Sequence, residues 1–169
     1  MASDVVATIV EQWRSERPDL DPSPIGVIGR LSRVSQHVTA DLVSLYRRFD
    51  LSEGEFDVLA TLRRVGAPHA LAPSALVGLT MVTKGAVSKR LDTLEAKGLI
   101  AREAAAHDGR GRIVRLTDAG LALIDEAVAA HLQNERRILD ALPARDRAEL
   151  ERILTAWARH YESAHPAAP

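Results

Sequence analysis

The sequence contains no cysteine. Disulfides, thiol-based redox sensing and thiolate metal sites are therefore excluded. Aromatic residues make up only 4% of the chain, so the core must be aliphatic. No apolar run approaches the ~20 residues needed to span a membrane. The opening stretch, MASDVVATIVEQW, lacks the basic start and long apolar core of a secretory signal. A soluble, cytoplasmic protein with no membrane partner is expected. There is no P-loop, dinucleotide fingerprint or nucleophile elbow. The six histidines (His37, His69, His107, His131, His160 and His165) contain no i, i+4 pair and no HExxH. Neither an enzyme, nor a cofactor, nor a metal centre is expected.

What is present is aliphatic and helical. The chain has 169 residues, 46% of them hydrophobic, enough for one domain with a helical extension. Alanine and leucine dominate, which favours helices. The net charge of −1 does not by itself point to nucleic acid, but its distribution says more. Residues 1–23 carry five acids against two bases, whereas residues 81–115 carry eight bases against four acids. A basic middle in a near-neutral chain is either a local footprint for a polyanion or a solvated charged face, and charge alone does not separate the two.

Local signals divide the chain into helices around one small hairpin. Val5, Val6, Ile9, Val10 and Trp13 recur at helical spacing and predict a helix over 3–17. The segment RPDLDPSP breaks it. A second helix is expected from Ile25 to Phe49, with Ile28, Leu31, Val38, Leu42 and Leu45 on one stripe. Ser52 and Glu55 form a capping box, and Gly66 stops the helix that follows. APHAL reads as a connector, and APSALVGLT as a short helix with Pro73 in its first turn. Met81 and Val82 form a turn, Thr83 caps the next helix, and that helix ends near Lys97-Gly98. Two extended runs, 99–103 and 112–116, flank HDGRG as a hairpin. Thr117 caps a long helix that Pro143 interrupts, and a final helix carries Leu150, Ile153, Leu154, Trp157 and Tyr161 on one face.

Two short helices, a tight turn, a third helix and a basic hairpin make a winged helix-turn-helix. In this motif the second helix of the pair enters the major groove of double-stranded DNA. With Val87, Leu91 and Leu94 inward, the outward face of that helix centres on Gly85, Lys89, Asp92 and Ala96. Thr83, Lys84, Ser88 and Lys89 are the candidate DNA contacts on the helix. Arg110 and Arg112 on the hairpin are candidates for phosphates or the minor groove.

The stretch SALVGLTMVTKGAVSKRLDTLEAKGLIAREAAAHDGRGRIVRLTDAGLALI resembles the MarR family of transcriptional regulators. The resemblance lies in the helix-turn-helix, then LEAKGLI, a wing with Asp108-x-Arg110, and VRLTDAG opening the next helix. It implies a mainly α (α+β) fold: a winged helix-turn-helix DNA-binding domain over residues 51–116, and an intertwined helical dimerisation region from residues 24–50 and 117–163. Residues 1–23 add an extra N-terminal helix. It also implies a homodimer on a pseudo-palindromic operator. Apolar stripes at both chain ends, with no other core to join, point the same way.

Arg90 stands out on its helix. It lies about 60° from the apolar axis at Val87, too close to the core for a purely DNA-facing role. A buried arginine needs an anion, since an unpaired buried charge costs several kcal/mol. Asp57, between Phe56 and Val58 on the helix that Ser52 caps, is one candidate partner, and Arg102 on the first wing strand is a third member of the group. Trp13, Asp57, Arg90 and Arg102 are similar, position by position, to the ligand quartet of the urate-responsive branch of the family, which also carries an added N-terminal helix. The segment between Trp13 and Asp57 is shorter than in that branch. The resemblance implies that the aromatic contacts a purine and that arginine holds its anionic edge. The aspartate is then repelled, and the recognition helix leaves the DNA. The expected function is a repressor released by urate or a related small anionic aromatic. The alternatives are a regulator of the same fold with a different ligand or none, in which Asp57–Arg90 is a structural ion pair and Trp13 a core residue, and a helical adaptor without DNA contact, which the basic 81–115 segment opposes.

Overall fold

The computed structural model describes residues 4–80, 84–104 and 112–164. The predicted turn at Met81–Thr83 and the hairpin tip with Arg110 lie outside the described residues.

Among the described residues, seven helices and three short strands follow the order α1 (Val5–Glu16), α2 (Ser23–Arg47), α3 (Glu53–Arg64), β1 (Ala70–Leu71), α4 (Pro73–Leu79), α5 (Lys84–Ala96), β2 (Ile100–Ala104), β3 (Arg112–Leu116), α6 (Asp118–Leu139) and α7 (Ala144–Ala164). The fold is mainly helical with one small antiparallel sheet, as expected.

Each boundary has a local cause. The Asp4 side chain accepts from the Ala7 amide at 2.8 Å and caps α1. It also receives Nε of Arg30 at 2.7 Å, which fastens α1 to α2. α2 begins at Ser23, two residues before the expected Ile25, because Pro24 suits a first turn. At α3 the expected capping box is complete. The Ser52 backbone N–H donates to Glu55 Oε2 at 2.7 Å, and the Glu55 N–H donates to Ser52 Oγ at 3.3 Å. Thr117 Oγ1 accepts from the Gly120 N–H at 3.0 Å and caps α6. A Cβ on Gly120 would stand 1.9 Å from the Leu99 carbonyl oxygen, so only glycine lets α6 start this close to the foot of the wing.

The strand β1 was not expected, because its two residues fall in the predicted connector. It pairs with β3 (Ala70 opposite Arg115, Leu71 opposite Val114), giving the antiparallel order β1-β3-β2. In the hairpin, Ile100 faces Leu116 and Ala104 faces Arg112.

Two compact units are present, residues 1–128 and 129–169. The first holds an aliphatic core of Val58, Leu59, Leu62, Leu76, Val87, Leu94, Val114 and Ile124, all essentially sealed from solvent. Each such side chain contributes about 1.5–3 kcal/mol on burial. Tyr46 and Phe56 add a stacked pair with ring centroids 4.2 Å apart. The second unit holds the remainder of α6 and all of α7, joined where Arg147 donates to the Leu142 carbonyl at 2.8 Å and to Asp140 at 3.1 Å. No helix among the described residues is long and apolar enough to cross a membrane.

Candidate functional site

The recognition helix α5 is held by its inward stripe. Val87, Leu91 and Leu94 are buried against the core, as the 3.6-residue period requires. Ser88 and Lys89 are exposed, and Arg90 is half-buried. Lys84 is the first residue of α5. Arg112 opens β3 and is exposed. Thr83 and Arg110 fall outside the described residues.

Arg90 leaves α5 toward the first turn of α3. Its guanidinium lies so close to Gly54 that a Cβ there would stand 2.0 Å from Nε and 2.1 Å from Cζ. Nη1 of Arg90 is buried and has no hydrogen-bond partner among the described residues. Asp57 is half-buried one turn further along α3. Residues three apart on a helix share a face, so Asp57 follows Gly54 on the side that Arg90 approaches.

Arg102 is placed differently. Its Nη2 donates to Asp92 Oδ1 at 2.6 Å, and its Nη1 lies 3.5 Å from Glu95 Oε2. At 100° per residue, these two acids lie about 140–160° around α5 from Arg90. The two arginines therefore engage opposite flanks of the recognition helix. Trp13 is 47% exposed on α1, beside the outward Val5 and Ile9, while Val6 and Val10 turn inward.

The contacts of Lys97 were also not read from the sequence. Lys97, just past the end of α5, places Nζ 3.3 Å from Glu55 Oε1 and 3.4 Å from Asp50 Oδ2, and also donates to the Asp50 carbonyl. It ties the end of the recognition helix to the α2–α3 junction. Burial pushes the Glu55 carboxyl up, but hydrogen bonds from the Ser52 amide and hydroxyl, together with Lys97, outweigh it. The group is held below its ordinary value. The sequence signal available was an acid inside a capping box on an otherwise buried helix face.

The arrangement is thus a helix with an exposed polar face, a wing on one flank, and a partly buried cation on the other. Comparison with known proteins agrees with it. A sequence pattern described as the MarR family matches residues 49–111. The chain is 43% identical over 155 residues to the HTH-type transcriptional regulator PecS of Dickeya dadantii (strain 3937), covering 92% of this chain and 93% of that protein. Among solved structures, it resembles BpsR of Bordetella bronchiseptica, described for regulation of its DNA binding by 6-hydroxynicotinic acid. The TM-score is 0.69 at 26% identity, over 78% of this chain and 92% of that one. It also resembles a mutant MarR from E. coli complexed with operator DNA, with a TM-score of 0.68 at 25% identity, over 91% and 98% of the two chains.

Proposed function

Because the chain belongs to the MarR family of transcriptional regulators, and is a DNA-binding regulator rather than an enzyme, we propose that it is a homodimeric repressor released from a pseudo-palindromic operator by a small anionic aromatic ligand such as urate. In this reading, Thr83, Lys84, Ser88 and Lys89 meet base edges and phosphates of the major groove. Arg110 and Arg112 meet phosphates or the minor groove from the wing. Trp13, Asp57, Arg90 and Arg102 serve the ligand.

The observation that carries the reading is Arg90. It belongs to the helix that reads DNA, yet its guanidinium lies against α3, with a buried nitrogen that has no partner among the described residues. A buried cation of this kind favours an incoming anion. An anion beside Arg90 also repels the Asp57 carboxylate, so α3 and α5 no longer prefer the same spacing. The ligand acts only as far as it prefers the DNA-free state. A tenfold loss of DNA affinity needs about 1.4 kcal/mol of differential binding.

One observation favours a variant in which the ligand is not urate. Arg102 is already engaged by Asp92 and Glu95, and Trp13 lies exposed on α1. A smaller aromatic acid needs only Arg90 and Asp57. Calorimetry with urate and with 6-hydroxynicotinate, alongside DNA titrations at rising ligand concentration, separates the readings. Urate heat that disappears in Arg90→Ala and falls in Trp13→Phe supports the four-residue site. Heat with 6-hydroxynicotinate alone supports the smaller one. No heat with either at millimolar concentration, and no change in DNA binding, overturns both.

A further inference from the structure

The wing and the recognition helix are joined by a contact between protein side chains, apart from the candidate DNA contacts. Arg102, on β2, has only 20% of its side chain exposed and reaches two carboxylates one turn apart on α5. Asp92 is 67% exposed and Glu95 43%. Both lie on the flank shared with Ser88, and Asp92 borders the outward face centred on Lys89. Two acids at this edge of a DNA-reading helix oppose binding, because each faces the phosphate field with the wrong sign. The guanidinium between them offsets that charge, and its short bond to Asp92 fixes the approach of β2 to α5.

We propose that Arg102 is a positioning residue for DNA binding, which acts through Asp92 and Glu95: it cancels their charge beside the DNA face and sets the angle between wing and recognition helix. The alternative role for the same side chain is a direct phosphate contact. The two differ in what they predict. A residue that neutralises protein carboxylates releases no counterion of its own when DNA binds. A residue that touches a phosphate does, and its removal lowers the salt slope by about one. The inference rests on DNA binding alone and does not depend on which ligand, if any, the protein senses.

The test uses the 169-residue protein without ligand and a duplex recovered by binding-site selection with the wild-type protein. Affinity is measured across a series of salt concentrations for Arg102→Gln, for Asp92→Asn/Glu95→Gln, and for the triple variant. Thermal melts of each establish that it folds. Arg102→Gln should weaken binding roughly fivefold, the upper range for a part-exposed ion pair, with the salt slope unchanged. In the triple variant, removal of the two uncovered acids should restore most of the lost affinity, a non-additivity that a merely damaged fold does not show. Loss of affinity with a slope reduced by about one and no rescue would make Arg102 a phosphate contact and overturn the proposal. Unchanged affinity in Arg102→Gln would also overturn it.

Discussion

At Gly54 the absence of a side chain is what lets Arg90 cross from the recognition helix to α3. Alanine in place of a helical glycine gains up to about 1 kcal/mol from backbone entropy alone. Here the new methyl meets Nε, Cζ and Nη2, the guanidinium end of the Arg90 side chain, which must give up its packed place against α3, and overpacking that forces such a shift costs about 1–3 kcal/mol. Gly54→Ala should therefore lower the melting temperature, and it should do so much less in an Arg90→Ala background. An equal loss in both backgrounds would show that the contact is not the cause. Glu55, the next residue, makes a pH prediction. Its folded carboxyl is held below its ordinary value of 4.5, so its contribution to stability is present above that value and fades as the pH falls through the lower folded one. Glu55→Gln should cost about 1 kcal/mol at pH 7, typical of a lost cap. The gap between variant and wild-type stability should close in acid. Urea melts at pH 7 and pH 3.5 measure it, and a gap that is constant between them contradicts the assignment.

Among the elements, α5 and the wing should make separable contributions to DNA binding. Lys89 is exposed on the outward face of α5, so Lys89→Ala should weaken binding and lower the salt slope by about one. A slope unchanged in this variant removes Lys89 from the contact set. Arg112→Ala on the wing should lower affinity while leaving base preference in the major groove intact. Binding-site selection that returns new major-groove preferences would contradict the wing's role. The junction of wing and α6 is set by Gly120. A Cβ there meets backbone, the Leu99 carbonyl, at 1.9 Å, and backbone cannot swing aside as a side chain can. Gly120→Ala should therefore destabilise by about 3 kcal/mol or more. A melt within two degrees of wild type would mean that the start of α6 relaxes without penalty.

For the whole molecule, the apolar stripes at the two chain ends bear on the proposed homodimer. Val27, Ile28, Leu31 and Val34 on α2 are exposed, and so are Leu150, Ile153, Leu154 and Tyr161 on α7. Exposed apolar stripes of this length favour association, and the proposed homodimer covers them. A protein stabilised by association melts at a temperature that rises with its concentration. Wild type should show that dependence and sediment as a dimer. Leu154→Asp should lose both properties, and with them the tight binding of a two-half-site duplex. A concentration-independent melt together with a monomeric sedimentation coefficient would remove the dimer.

The amino-acid sequence by itself determined where most helices start, to within a residue or two, because those signals are local. Ser52 with Glu55, Pro24 and Pro73 in first turns, Thr117 before α6 and Pro143 before α7 act within four residues of themselves. The recognition helix and wing were legible for the same reason, since the whole motif occupies one continuous segment. The inward lean of Arg90 was also legible, as a matter of angle around a single helix. Only the tertiary structure decided what each charge meets. The sequence grouped Arg102 with Asp57 and Arg90, whereas the fold sets it against Asp92 and Glu95, on the other flank of α5. Lys97 reaches Glu55 across 42 residues of chain, and Arg90 finds Gly54 across 36. The strand β1 exists only because β3 offers it an edge, since its two residues have no period of their own. A helical wheel tells which way a side chain leaves its helix. What stands opposite is set by packing between segments far apart in the chain, and no local pattern encodes that.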